Sequence, residues 1–180
     1  MDIIETVTSR IVEWHRDRRE PLSLDQLYMW SEELATRIHL AVMVEPYLSK
    51  ICSGEKFIES RLTRVNIAPY QRAACGDVIL FKLSGGPITA LAKVDQAQFE
   101  EFGPMRSPAS LAEAFEMGLG YEPGYVESKA DARFASLLWL SHVRQIASVP
   151  VAKSGRQAWV TIQPSSLGPP SMFEPAQRLF

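Results

Sequence analysis

The sequence has no apolar run near the ~18 residues that a membrane-spanning helix needs. Its most apolar short run, HLAVMV at His39 to Val44, has the length of a buried strand. The start, MDIIETVTSR, is acidic at once and lacks a basic segment leading into an apolar one, so no secretory leader is expected. Cysteine is scarce. Cys52 and Cys75 stand far apart and are expected as two reduced thiols, which places the chain in the cytoplasm. A glycine-rich dinucleotide fingerprint is missing. So is a phosphate loop, because SGGPI (Ser84 to Ile88) has no Lys-Ser/Thr at the required spacing. His15, His39 and His142 are scattered, and neither cysteine has a neighbour at zinc-ligand spacing, so no metal and no cofactor is expected. No nucleophile-elbow motif hints at a serine hydrolase. An excess of positive charge is also missing. The net charge of −2 and a pI near 6.0 argue against coating nucleic acid by bulk electrostatics.

What is present is an ordinary core. With 180 residues, 46% of them hydrophobic, the chain suits one domain with room for an added subdomain. Ile3, Ile4, Val7, Ile11, Val12 and Trp14 recur near helical spacing, and Pro21 stops that helix. Ser23 caps a second helix with Gln26 three residues on, and Leu24, Leu27, Tyr28, Trp30 and Leu34 form its apolar stripe. Residues 1–38 thus read as a helical hairpin. From His39 the period changes to short strands: HLAVMVE, KFIESRL, GDVILFKLS, the run after Gly85-Gly86, RFASLLWLSHVRQI and AWVTIQ. A short helix starts at Pro46 and ends at Gly54, and another falls between Ser107 and Gly118 with Ser107 or Ser110 as its cap. Residues 164–180 form a Pro-rich tail expected to be irregular. The fold class is α+β: a small, mainly antiparallel mixed barrel over residues 39–163, with flanking helices.

The chemistry concentrates in SGEKFIESRL, Ser53 to Leu62. The window from Lys50 to Lys82 holds six basic residues (Lys50, Lys56, Arg61, Arg64, Arg72, Lys82) against three acidic ones (Glu55, Glu59, Asp77), so it is locally basic. On an extended strand Lys56, Ile58 and Ser60 face one way and Phe57, Glu59 and Arg61 the other, which makes Glu59 and Arg61 neighbours. One reading is a structural ion pair beside Phe57; the other is a site. Lys56, just past the Gly54 turn, is either a solvated lysine or one presented into a cleft. Tyr70, beside Pro69 in a basic loop, is an exposed aromatic on which a base can stack, or a cover for the barrel end. Trp139 offers the same chemistry but sits in a core-like run. Arg64 and Arg72 flank Tyr70 and read equally as solvated loop residues. The Ser84-Gly85-Gly86 turn is a hairpin turn whose N–H groups offer an alternative anion cradle.

The order Gly54, Lys56, Glu59, Arg61, then Gly76-Asp77 leading into a strand, resembles the ASCH domain family, a branch of the PUA-like barrels. SVPVAKSGRQAWVTI (Ser148 to Ile162), with Arg156 and Trp159, resembles the family's closing segment. The resemblance spans about Leu40 to Ile162. It implies an open barrel whose cleft is lined by Lys56, Glu59 and Arg61 and takes RNA or a modified nucleotide or nucleoside. Some members hydrolyse the amide of a modified cytidine and others cut RNA. In the amide hydrolases a threonine nucleophile stands where this chain has Glu59, so here Glu59 would instead activate water as a general base, with Lys56 stabilising an oxyanion.

Three functions follow as expectations. The first is a binding module in which Lys56 and Arg61 meet phosphate or base edges, Glu59 orients Arg61, and Tyr70 stacks. The alternative is a hydrolase, either a ribonuclease or a nucleoside amidohydrolase, with Lys56 and Glu59 catalytic. The third is a protein-interaction module using the N-terminal hairpin, which serves equally as a homodimer interface or a lid. No membrane partner is expected.

Overall fold

A six-stranded mixed sheet is the frame of the computed structural model, which describes residues 37–151 and 156–162. The expected N-terminal hairpin, with His15, Trp14 and Trp30, lies outside the described residues apart from positions 37 and 38, and so does the Pro-rich tail. The strands are β1 (Ile38–Met43), β2 (Ile58–Thr63), β3 (Val78–Leu83), β4 (Ile88–Glu101), β5 (Phe134–Val149) and β6 (Trp159–Ile162). Helix α1 (Tyr47–Ser53) joins β1 to β2, while α2 (Pro108–Ala114) and α3 (Glu116–Leu119) lie between β4 and β5. A 3-10 turn (Glu127–Lys129) precedes β5. No helix among the described residues is long and apolar enough to cross a membrane.

The strand order is β2-β5-β4-β3-β1-β6. β1 and β3 run parallel, and every other neighbouring pair is antiparallel. The β3–β4 hairpin turns at Gly85, whose φ of 71° is a left-handed value that glycine adopts without a Cβ penalty. The long β4–β5 ladder shifts register repeatedly, between Ile88 and Ala90, Leu91 and Lys93, and Val94 and Gln96. Each such irregularity adds bend and twist, so a long ladder curls instead of lying flat.

The consequence of that curl is the site. β2 and β6 end the strand order on opposite sides, yet Arg61 of β2 lies over the Trp159 ring of β6 at 5.4 Å. Arg61 Nη2 also donates to Val42 O on β1 at 3.0 Å. The sheet therefore wraps until its two edges face each other, and side chains rather than backbone bonds span the seam. This is an open barrel of the expected mainly antiparallel kind.

Three apolar clusters fill it. Ile79, Phe81, Val94 and Leu138 pack with Leu48 and Ile51 of α1, so that short helix plugs one side. Leu40, Leu80, Ile88 and Val149 form the second cluster, and Ile58, Leu62, Leu111, Leu119 and Leu137 form the third beneath α2 and α3. Ser107 caps α2 by accepting from the Ser110 N–H, with Pro108 in the first turn, as its sequence position predicts.

Candidate functional site

Lys56 is placed by the ends of two short helices. Helix α1 stops at Gly54, whose φ of 81° reverses the chain, and Lys56 N–H then bonds Lys50 O. Phe57 N–H bonds Gly118 O. Gly118 allows this approach: a Cβ there would lie 2.5 Å from Ile58 Cδ1. Because β2 begins only at Ile58, Lys56 escapes the strand alternation that its position predicts. Instead of facing away from Glu59 it turns toward it, with Nζ 3.9 Å from Glu59 Oε2. Phe57, expected beside the ion pair, is exposed and leans toward Gly118.

The motif is deeply buried. Lys56 is 2% exposed and Glu59 1%. Lys56 Nζ donates to Ile58 O at 2.7 Å and Leu119 O at 2.8 Å. Its third hydrogen has no acceptor within hydrogen-bond distance among the described residues, since Glu59 stands beyond that range. Burial pushes the ammonium down from 10.5 to about 8, against the opposing pull of the Glu59 carboxylate. Glu59 Oε1 accepts from Arg61 Nε at 2.7 Å. Arg61 also donates to Val42 O and, at 3.1 Å, to Met43 Sδ, which locks its planar head across the seam.

Around these charges stand three tyrosines that the sequence reading did not single out. The Lys56 ammonium lies 5.6 Å from the Tyr121 ring centre and 5.9 Å from that of Tyr47. Tyr121 and Tyr125 pack at 4.4 Å, and Tyr47 meets Tyr125 edge-on. Tyr121 donates its hydroxyl to Ser60 Oγ at 2.9 Å. Burial raises both phenols, Tyr125 to about 12, so they are donors and not anions near neutrality. The faint signal for them lies in GLGYEPGY, where a glycine-rich loop places Tyr121 and Tyr125 four residues apart.

Together these residues line an open cleft of about 780 Å³. Its cations are Lys56, Arg61, Lys82, Lys129 and Arg156, and Glu59 is its one carboxylate among the described residues. A chain with a net charge of −2 has therefore gathered positive charge at one place. The Ser84-Gly85-Gly86 turn also lines the cleft, but Ser84 N–H bonds Met43 O and Gly86 N–H bonds Leu83 O, which fits a hairpin turn better than an anion cradle. Lys82 is held in the same turn by Gly86 O and Leu83 O.

Tyr70 does not join the site. It is 7% exposed and packs edge-on against Phe99 and Phe134, so the loop folds it inward as a cover for the barrel end. Trp139 likewise packs against Phe115 in the core beneath α2 and α3. Arg64 is exposed and paired with Asp131.

Behind Arg61 lies a buried relay. Trp159 Nε1 donates to His39 Nδ1 at 3.2 Å, and His39 Nε2 meets Asp77 Oδ2 at 2.9 Å. An indole N–H can only donate, so Nδ1 must accept and Nε2 carries the proton given to Asp77. Asp77 additionally accepts from Ala74 N–H and Arg37 N–H. The Gly-Asp turn thus fixes the ring on which Arg61 rests. His39→Leu takes one donor from the buried Asp77 Oδ2, which keeps the Ala74 N–H, and leaves the Trp159 indole N–H unsatisfied, and is expected to cost about 2 kcal/mol. Urea unfolding followed by tryptophan fluorescence reads this directly; a midpoint equal to wild type would show that the relay carries no stability.

No family model matches the chain, and no curated protein sequence matches it. Solved structures do. The crystal structure of ASCH from Zymomonas mobilis aligns with a TM-score of 0.56 at 11% identity, covering 72% of this chain and 90% of that one. A serine-to-alanine mutant of the same protein gives a TM-score of 0.54 at 10% identity, covering 72% and 92%. At such identities the likeness is one of fold, and it supports the ASCH-type barrel implied by the resemblance over about Leu40 to Ile162.

Proposed function

Starting from an ASCH-type fold, we propose that this chain binds RNA, or a modified nucleotide, in the cleft around Lys56, Glu59 and Arg61. One observation carries this: a buried ammonium and a clamped guanidinium share one carboxylate inside a tyrosine-lined cleft. Each part has a matching partner on a nucleotide. The remaining Lys56 hydrogen suits a phosphate or carbonyl oxygen. The exposed edge of Arg61 suits a phosphate or a purine acceptor pair. Tyr47 and Tyr125 offer ring edges and faces for a splayed base. Glu59 can accept from an exocyclic amine.

The hydrolase reading draws on a different observation, the lowered Lys56 pKa of about 8 beside Glu59. In that reading Glu59 takes a proton from water or from a ribose hydroxyl, and Lys56 steadies the developing negative charge. Binding is favoured because Glu59 Oε1 is already occupied by the hydrogen bond from Arg61 Nε at 2.7 Å.

The test incubates purified protein with labelled single-stranded RNA and, in parallel, with a panel of modified nucleosides. A stable complex without turnover, lost in Lys56→Ala, supports the binding module. Consumption of substrate that stops in Glu59→Gln while binding persists supports the hydrolase. No complex and no reaction with either ligand class would overturn both.

A further inference from the structure

The cleft does not end at Arg61. A second compartment of about 550 Å³ opens on its other side, against β6 and the loop after β2. The two compartments share Arg61, Tyr125, Lys129, Gln157 and Ala158 in their walls. Arg61 stands between them as a common gatepost, fixed by Glu59 on one side and seated over Trp159 on the other. The second compartment adds Arg72, Asn66 and Thr63, and no Asp or Glu lines it among the described residues.

This composition is directional. A pocket for a neutral nucleoside needs hydrogen-bonding groups and an apolar wall, but not a second set of unopposed cations. Arg72 and Lys129 in a compartment without a carboxylate attract an anion that lies beyond the first bound unit. Lys129 sits 5.7 Å from the Tyr125 ring centre, so a cation and an aromatic face occur together where the compartments join, the pairing that tracks a single strand by phosphate and stacking. The amide of Asn66 and the hydroxyl of Thr63 add neutral hydrogen-bonding groups that suit a sugar or base edge.

We propose that the second compartment is a subsite for the neighbouring nucleotide, so that the ligand is a single-stranded oligonucleotide running across Arg61 and not a free nucleoside. This rests on the reading of the first cleft given above. The phosphodiester joining the two units lies against Arg61 and Lys129, and the next phosphate meets Arg72.

Equilibrium binding of adenosine monophosphate and of a short single-stranded oligoadenylate, by wild type, Arg72→Ala, Arg64→Ala and Lys56→Ala, tests it. The oligonucleotide is expected to bind wild type at least about tenfold more tightly than the mononucleotide. Arg72→Ala is expected to remove most of that difference and to lower the salt dependence of oligonucleotide binding by about one ion. Arg64→Ala, the same charge removed from the same loop outside both compartments, is expected to keep the difference. Equal affinity for the two ligands, or an equal loss in Arg64→Ala, would overturn the subsite while leaving the first cleft intact. Failure of both ligands to bind wild type, with Lys56→Ala indistinguishable from it, would overturn the cleft reading and the subsite with it.

Discussion

Glu59→Ala is expected to destabilise the fold by about 3 kcal/mol, the scale on which removing one partner of a buried ion pair acts. The reason is positional. Glu59 is 1% exposed and is the only carboxylate among the described residues that lines the cleft, facing Lys56 on one side and Arg61 on the other. Without it the two cations confront each other in a poorly solvated space, and Arg61 loses the bond that holds its Nε. Glu59→Gln keeps the volume and one acceptor, so it is expected to cost clearly less. Urea unfolding should show a lower midpoint in both variants with an unchanged slope. If Glu59→Ala unfolds within ~0.5 kcal/mol of wild type, the pair is a surface-like contact and the buried-network account fails.

Lys56→Met should have the largest effect on ligand affinity, a loss of about a hundredfold for a single-stranded oligonucleotide. Methionine retains most of the lysine stem and its packing against Tyr47 and Tyr121, but supplies no donor and no charge. Ile58 O and Leu119 O also lose their donor, so some stability is lost as well. Circular dichroism separates the two effects: the variant is expected to remain folded at the temperature of the binding assay. Arg64→Ala, removing an exposed charge paired among the described residues with Asp131, is expected to change affinity by less than about twofold. A folded Lys56→Met with wild-type affinity would mean that the ammonium holds the fold together and does not reach the ligand.

The sequence made the strands and turns legible because their signals are local. Gly54 ends α1 in the left-handed region, Gly85 turns the β3–β4 hairpin, and Ser107 caps α2, each as its chemistry dictates. The Glu59-Arg61 pair was legible from strand alternation, since both residues lie within β2. Lys56 was not, because alternation holds only inside a strand and β2 starts two residues later. Tyr70 looked exposed from its loop composition, but Phe99 and Phe134 bury it, and neither is near it in sequence. The tyrosine wall was hidden for the same reason. Tyr47 starts α1 and Tyr121 follows α3, and only the tertiary fold brings them to one ammonium. The seam itself depends on accumulated curl in the β4–β5 ladder, which no short motif announces.

The pH dependence of oligonucleotide affinity asks whether the Lys56 ammonium is the group that the ligand meets. Burial lowers this lysine from 10.5 to about 8. The unfolded chain therefore binds one more proton than the folded one between those values, and folding stability rises as the pH climbs from about 8 to 10.5. Anion binding moves the opposite way, since the charge that attracts the ligand disappears over the lower part of the same interval. With oligoadenylate, whose bases do not ionise there, wild-type affinity should be flat below about pH 7 and fall through a single ionisation near 8, while Lys56→Met shows weak affinity and no such step. A wild-type affinity that stays level from about pH 7 to about pH 9.5 would contradict the account.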